Sequence, residues 1–175
     1  MNNEKRTRRV AVGAVVAALY VALTVAQSTV FPGSTSMAVQ FRVSEALAVL
    51  AVFSPSVIPG LIIGCFIANL TSVGALPADM LFGTAATAGA LISMRYLRGV
   101  RFKGIPFLSL LMPAVFNGII IGLEIEIFFV EGNFRLPSFL TQALFVALGE
   151  IGVLFTLGLL LFKVIKDKNL EKYLF

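Results

Sequence analysis

Residues 9–30 read RVAVGAVVAALYVALTVAQSTV: one arginine, then an uncharged, mostly apolar run as far as Val30. At about 1.5 Å of rise per residue, a helix of this length covers the roughly 30 Å of hydrocarbon in a bilayer. Phe31-Pro32-Gly33 closes the run with a breaker. Similar blocks recur to the end of the chain, and the composition agrees. The 175 residues are 58% hydrophobic and 13% charged, against about 25% charged in a soluble domain. The basic run ahead of the first block does not read as a cleaved leader. The block is long, leads into further spans and shows no small-residue cleavage site ahead of a soluble domain.

Five more spans follow at residues 37–53, 55–72, 76–94, 104–130 and 137–163. Ser54-Pro55-Ser56 breaks the second from the third, Pro77 opens the fourth, and Glu131-Gly132-Asn133 turns the fifth into the sixth. The net charge of +5 is not a nucleic-acid stripe. Lys5, Arg6, Arg8 and Arg9, then Arg95, Arg98, Arg101 and Lys103, then Lys163, Lys166, Lys168 and Lys172 sit between or beyond the apolar blocks, as topogenic charges do. With six spans all three basic segments fall on one side; five or seven would separate them. The expectation is an all-α integral membrane protein: six transmembrane helices in a single bundle, with both termini cytoplasmic in a plasma membrane. One domain covers 1–175, with a basic segment at 1–9 and a tail at 164–175.

The chain has no His and one Cys. That removes Ser-His-Asp and Cys-His catalysis, His/Cys zinc sites and any internal disulfide. There is no glycine-rich GKS/GKT phosphate loop, so ATP hydrolysis by that device is absent. No metal, cofactor or catalytic residue is expected.

Polar side chains nevertheless interrupt the oil. Gln40-Phe41-Arg42-Val43-Ser44-Glu45 and Gly64-Cys65-Phe66-Ile67-Ala68-Asn69 are the clearest cases. Ionisable groups at membrane depth cost several kcal/mol unless they pair or face water, protein or ligand. Counted from the expected helix ends, Glu45, Asn69, Asp79, Glu124 and Gln142 fall in the outer half and Asn117 near the midplane. Gln40, Arg42, Glu45, Asn69, Asp79, Asn117, Glu124 and Gln142 are therefore the candidates for a pocket open to the outside. Structural roles compete for several of them. Arg42 and Glu45, three apart, can pair on one helix face. Asp79 can serve the dipole of its helix, and Asn69 can bond a neighbouring backbone. Glu126 belongs at the headgroup boundary. Glu150 lies too deep for an outward pocket and reads as a structural carboxylate or a partner for Arg95. Cys65 reads as a small core residue. Ala14, Ala18, Ala22 and Ala26 form a four-residue stripe, as do Gly60, Gly64 and Ala68, and Gly118 with Gly122. Such stripes let helices approach closely; the first suits a docking face for another membrane subunit equally well.

Val39-Gln40-Phe41-Arg42-Val43-Ser44-Glu45-Ala46-Leu47, the block from Gly60 through Asn69, Asp79 and Phe82-Gly83-Thr84 resemble the QueT-type queuosine-precursor transporter family, substrate-binding S components of energy-coupling factor (ECF) transporters. The resemblance implies high-affinity binding of a 7-deazaguanine from outside, a transmembrane T component, two ATP-binding cassette ATPases, and transport by toppling of the S component. It matches Ala14, Ala18 and Ala22 to the stripe that docks on the T component. A 7-deazaguanine offers donors to a carboxylate, a carbonyl to Asn, Gln or Arg, and a flat ring to an apolar platform. An S component for riboflavin, biotin or a thiamine precursor is the main alternative. A small intramembrane enzyme using Asp79 with Glu45 or Glu124, and a purely structural subunit, are the other two.

Overall fold

A computed structural model describes residues 3–32, 41–71 and 77–174. Among them the chain is helical throughout, apart from turns and one isolated bridge between Phe102 and Ile105. The helices are α1 (Asn3–Val30), α2 (Leu50–Phe53), α3 (Ile58–Thr71), α4 (Pro77–Leu97), α5 (Phe107–Phe128), α6 (Leu136–Val153), α7 (Leu159–Asp167) and α8 (Glu171–Leu174). A 3-10 segment, Val43–Val49, leads into α2, and a second, Pro55–Val57, leads into α3. A wide π turn, Leu154–Gly158, joins α6 to α7 without ending the rod. α1, α5 and the continuous rod Leu136–Asp167 are long and apolar enough to cross a bilayer, while Val43–Phe53 and Pro55–Thr71 are shorter apolar pieces. The chain is a helical membrane protein.

Contacts between neighbouring segments fix their directions. Gly13 meets Gly60, and Ala17 and Tyr20 meet Gly64, so α1 and α3 run the same way. The segment between them runs back: Ser44 and Glu45 bond the C-terminal half of α1, whereas Val52 and Phe53 accept from Arg95 at the far end of α4. α4 returns alongside α3, α5 reverses again, and the α6–α7 rod returns beside α5, where Ala143 packs on both Gly118 and Gly122. Among the described residues, six helical passes thus alternate in direction. One end of the bundle holds Arg95, Lys103 and Lys166, with Lys166 against the tight turn at Lys103 (φ 50°) and Gly104 (φ 82°).

Local sequence explains the packing. On α1 the buried positions are Gly13, Val16, Tyr20, Thr24 and Gln27, spaced three or four apart on one face. Ala14, Ala18, Ala22 and Ala26 are exposed on another. The Gly60-Gly64-Ala68 and Gly118-Gly122 stripes lie inside the bundle, where they bring α3 onto α1 and α5 onto α6. The main core gathers Leu61, Cys65, Leu91, Met94, Leu110 and Leu154. A smaller cluster of Ala86, Ile121 and Val146, flanked by Phe82, joins α4, α5 and α6.

The second pass departs from the sequence reading. Residues 37–53 were expected as one short helix. The described part is a seven-residue 3-10 segment followed by a single α-helical turn. Arg42 is not in it. It is the extended cap, with φ −111° and ψ 103°, so the helical three-residue spacing to Glu45 does not apply. Irregular backbone at membrane depth persists only where protein or a cavity surrounds it. Here the 3-10 segment is buried against α1 and against the π turn, whose Gly158 approaches the Ala46 carbonyl.

Candidate functional site

The site grows from the wall that α1 builds. The Tyr20 hydroxyl donates to Glu45 Oε1, and Thr24 Oγ1 donates to Ser44 Oγ at 2.8 Å. The Gln27 amide grips both sides of Arg42: its Nε2 donates to the Phe41 carbonyl, and its Oε1 accepts from the Val43 N–H at 2.7 Å. Three polar residues on one face of α1 thereby hold an otherwise irregular segment in register. Sequence reading missed them, although positions 20, 24 and 27 fall on one helical face away from the alanine stripe.

From this wall Arg42 reaches across to α3, donating from a terminal nitrogen to Asn69 Oδ1 at 3.1 Å. Asn69 in turn donates to the Asp79 carbonyl at 3.3 Å and to Cys65 Sγ at 3.6 Å. Cys65 Sγ sits 3.2 Å from Thr87 Oγ1. Arg42 and Glu45 therefore spend their hydrogen bonds on different partners. Glu124, on α5, lies in hydrogen-bonding reach of the Asp79 side chain on α4. Two turns along α5, Asn117 donates to Glu150 Oε1 of α6 at 2.8 Å. Glu150 is thus a buried, hydrogen-bonded carboxylate, the first of the two expected alternatives, and not a partner for Arg95. Arg95 is committed to the Val52 and Phe53 carbonyls, and Glu150 stands in the same electrostatic neighbourhood as Glu45 and Arg42. Glu126 is buried and accepts from the Arg135 N–H at 3.0 Å, pinning the start of α6.

Arg42, Glu45, Asn69, Asp79, Asn117 and Glu124 are thus drawn together by the fold. Gln142 is half-buried on α6, two turns before Glu150, and no hydrogen bond ties it to the others among the described residues. Gln40 lies outside the described residues. Glu150 and Thr84 join the set. Among the described residues five buried side-chain atoms have no hydrogen-bond partner: Arg42 Nε, Thr84 Oγ1, Glu124 Oε1, Glu126 Oε2 and Glu150 Oε2. Each such atom costs about 1–3 kcal/mol if left dry and unpaired. An unpaired donor and unpaired acceptors of this kind are satisfied by a small polar molecule that carries both kinds of group. Among the described residues, no three acidic, Cys or His side chains gather as a metal site.

A second feature lies on the opposite face of α1. Ala14, Ala18 and Ala22 line an open apolar groove of about 960 Å³, closed on its other side by Pro59, Gly60 and Ile63 of α3. Neither the curated proteins nor the solved structures contain a match to this chain. A family model does match: that of the QueT transporter, over residues 10–167, which takes in every helix that builds the site. The chain belongs to the QueT transporter family, and with it to the membrane transport proteins rather than the enzymes.

Proposed function

We propose that the chain is the substrate-binding S component of an ATP-driven ECF importer and takes up a queuosine precursor of the 7-deazaguanine class from outside the cell. The observation that carries this reading is the hydrogen-bonded run from Arg42 through Asn69 to the Asp79 carbonyl, with unpartnered buried atoms on Arg42, Glu124 and Glu150. Family membership supports it. A guanine-type edge places two N–H donors beside a carbonyl acceptor, and it asks for a carboxylate beside a cationic donor. Glu150, Glu45 and Glu124 supply the first, and Arg42, with Asn69 and Asn117, the second. Apolar Ile121, one turn from both Asn117 and Glu124, and Val146, one turn from Glu150, provide surface for the ring faces.

In this reading the six alternating passes are six membrane spans, with the basic ends and both termini in the cytoplasm. Gln40 and Gln142 complete the rim of the pocket. The exposed face of Ala14, Ala18 and Ala22 docks on a T component, which two ATP-binding cassette ATPases drive. The chain itself hydrolyses nothing.

The test is calorimetric titration of the solitary protein, purified in detergent, with 7-deazaguanines and B vitamins. Tight one-to-one binding of a deazaguanine with the vitamins silent is the expected outcome. Binding of riboflavin, biotin or a thiamine precursor in its place would keep the architecture and overturn the substrate class.

A further inference from the structure

The groove between α1 and α3 is not uniform along its length. It follows α1 from Arg9 to Val25, about 24 Å of helix. Its walls are alanine, glycine, valine, isoleucine and proline, and the two lining residues with polar side chains, Arg9 and Ser56, stand at one end. Ser56 belongs to the 3-10 turn that leads into α3, and its carbonyl oxygen lies beside Gly13, one turn along α1 from Arg9. The Ser56 hydroxyl pairs with Ser54 Oγ at 2.7 Å, so the charge at this end of the groove comes from Arg9. The same two turns of α1 carry Lys5, Arg6 and Arg8 against a single acid, Glu4. A positive end on an apolar channel is the complement of an amphiphile with an anionic head.

The dimensions agree. Lipid tails are as apolar as the groove walls, and they fill whatever no protein covers. One leaflet contributes about 15 Å of hydrocarbon, half of the full thickness. From Arg9 to Ala18 the helix rises about 14 Å. This half is walled by Gly13, Ala14, Ala17 and Ala18 of α1 and by Pro59 and Gly60 next to it. Side chains this small leave a trough, and an acyl chain takes the place of the bulk they lack. At the end of the trough a guanidinium offers paired N–H donors to phosphate oxygens.

We propose that the Arg9 half of this groove is a binding site for an anionic phospholipid from the leaflet at the basic end of the bundle. Arg9 takes the phosphate, and one acyl chain lies between α1 and α3 as far as Ala18. The lipid holds the alanine face until a protein partner covers it. The site stands whatever substrate the polar pocket takes.

Native mass spectrometry of the intact chain, released from detergent with phosphatidylglycerol or phosphatidylcholine of the same chain length, tests both parts. One phosphatidylglycerol should be retained about fivefold or more in preference to phosphatidylcholine. Arg9→Gln should lower that preference about fivefold. Lys168→Gln, which removes the same charge from the basic end away from the groove, should leave it intact. Ala14→Trp should weaken retention of both lipids at least about tenfold, because the indole occupies the path of the chain. Equal retention of the two lipids by the native protein, or an equal loss of preference in Lys168→Gln, would overturn the headgroup assignment. Undiminished lipid on Ala14→Trp would overturn the groove. Release of the lipid by inorganic phosphate alone would reduce the site to a phosphate site and remove its acyl half. A dimer mass in place of a lipid adduct would give the groove to a second copy of the chain. The comparison of lipids on the native protein needs no variant, so a variant that fails to fold does not protect the proposal.

Discussion

Gly60 has no room for a methyl group. A Cβ built there lands on the Gly13 carbonyl oxygen and only 2.8 Å from the Gly13 Cα, so backbone, not a flexible side chain, would have to move. Gly60→Ala should therefore lower stability by about 1–3 kcal/mol, read as a reduced melting temperature of the purified protein. An unchanged melting temperature would mean that α1 and α3 separate freely. Other single residues were less legible than this one. The small-residue spacing alone announced a close approach at Gly60, but nothing local announced the bond from Asn117 to Glu150. Counted from the expected ends at Val130 and Pro137, Asn117 and Glu150 both lie thirteen residues down their helices, but depth alone does not say that the two side chains face each other. Arg42 was misjudged for a related reason. Its spacing to Glu45 has meaning only on an α-helix, and the chain there is extended and then 3-10.

The helices themselves follow from hydropathy and breakers: α1 ends at Val30 as expected but starts six residues early, at Asn3, and both ends of α4 fall within three residues of the expected ones. The second pass was the least regular because its backbone is held by side chains of α1, a tertiary cause that no local pattern encodes. α1 itself divides cleanly. One face is buried and polar toward its C-terminal half; another is alanine and exposed. A bulky side chain on the alanine face therefore leaves the pocket untouched. Ala18→Trp should bind ligand with native affinity yet abolish uptake in cells that carry the complete transporter. Normal uptake by that variant would remove this face as the docking surface.

At the scale of the whole molecule, the basic turn at Lys103 and Gly104 and the α7 helix lie at one end, and the Glu131-Gly132-Asn133 turn lies at the other. The native Cys65 is fully buried, which leaves a clean background for labelling. In intact cells an impermeant maleimide should react with Asn133→Cys and spare Lys5→Cys and Lys168→Cys until the membrane is opened. Labelling of either basic end from outside would reverse the orientation. One helix carries both the proposed docking face and, through Tyr20, Thr24 and Gln27, the wall that holds Arg42 and Glu45. Under the proposed function, a partner that tilts this helix would work directly on the residues that hold the ligand. Thermodynamic linkage makes the influence mutual: by whatever factor the docked partner loosens the ligand, the bound ligand must loosen the partner by the same factor. If the chain is the S component proposed above, a loaded copy and an empty one compete unequally for the same module, and the sorting between them is written into a single rod of helix.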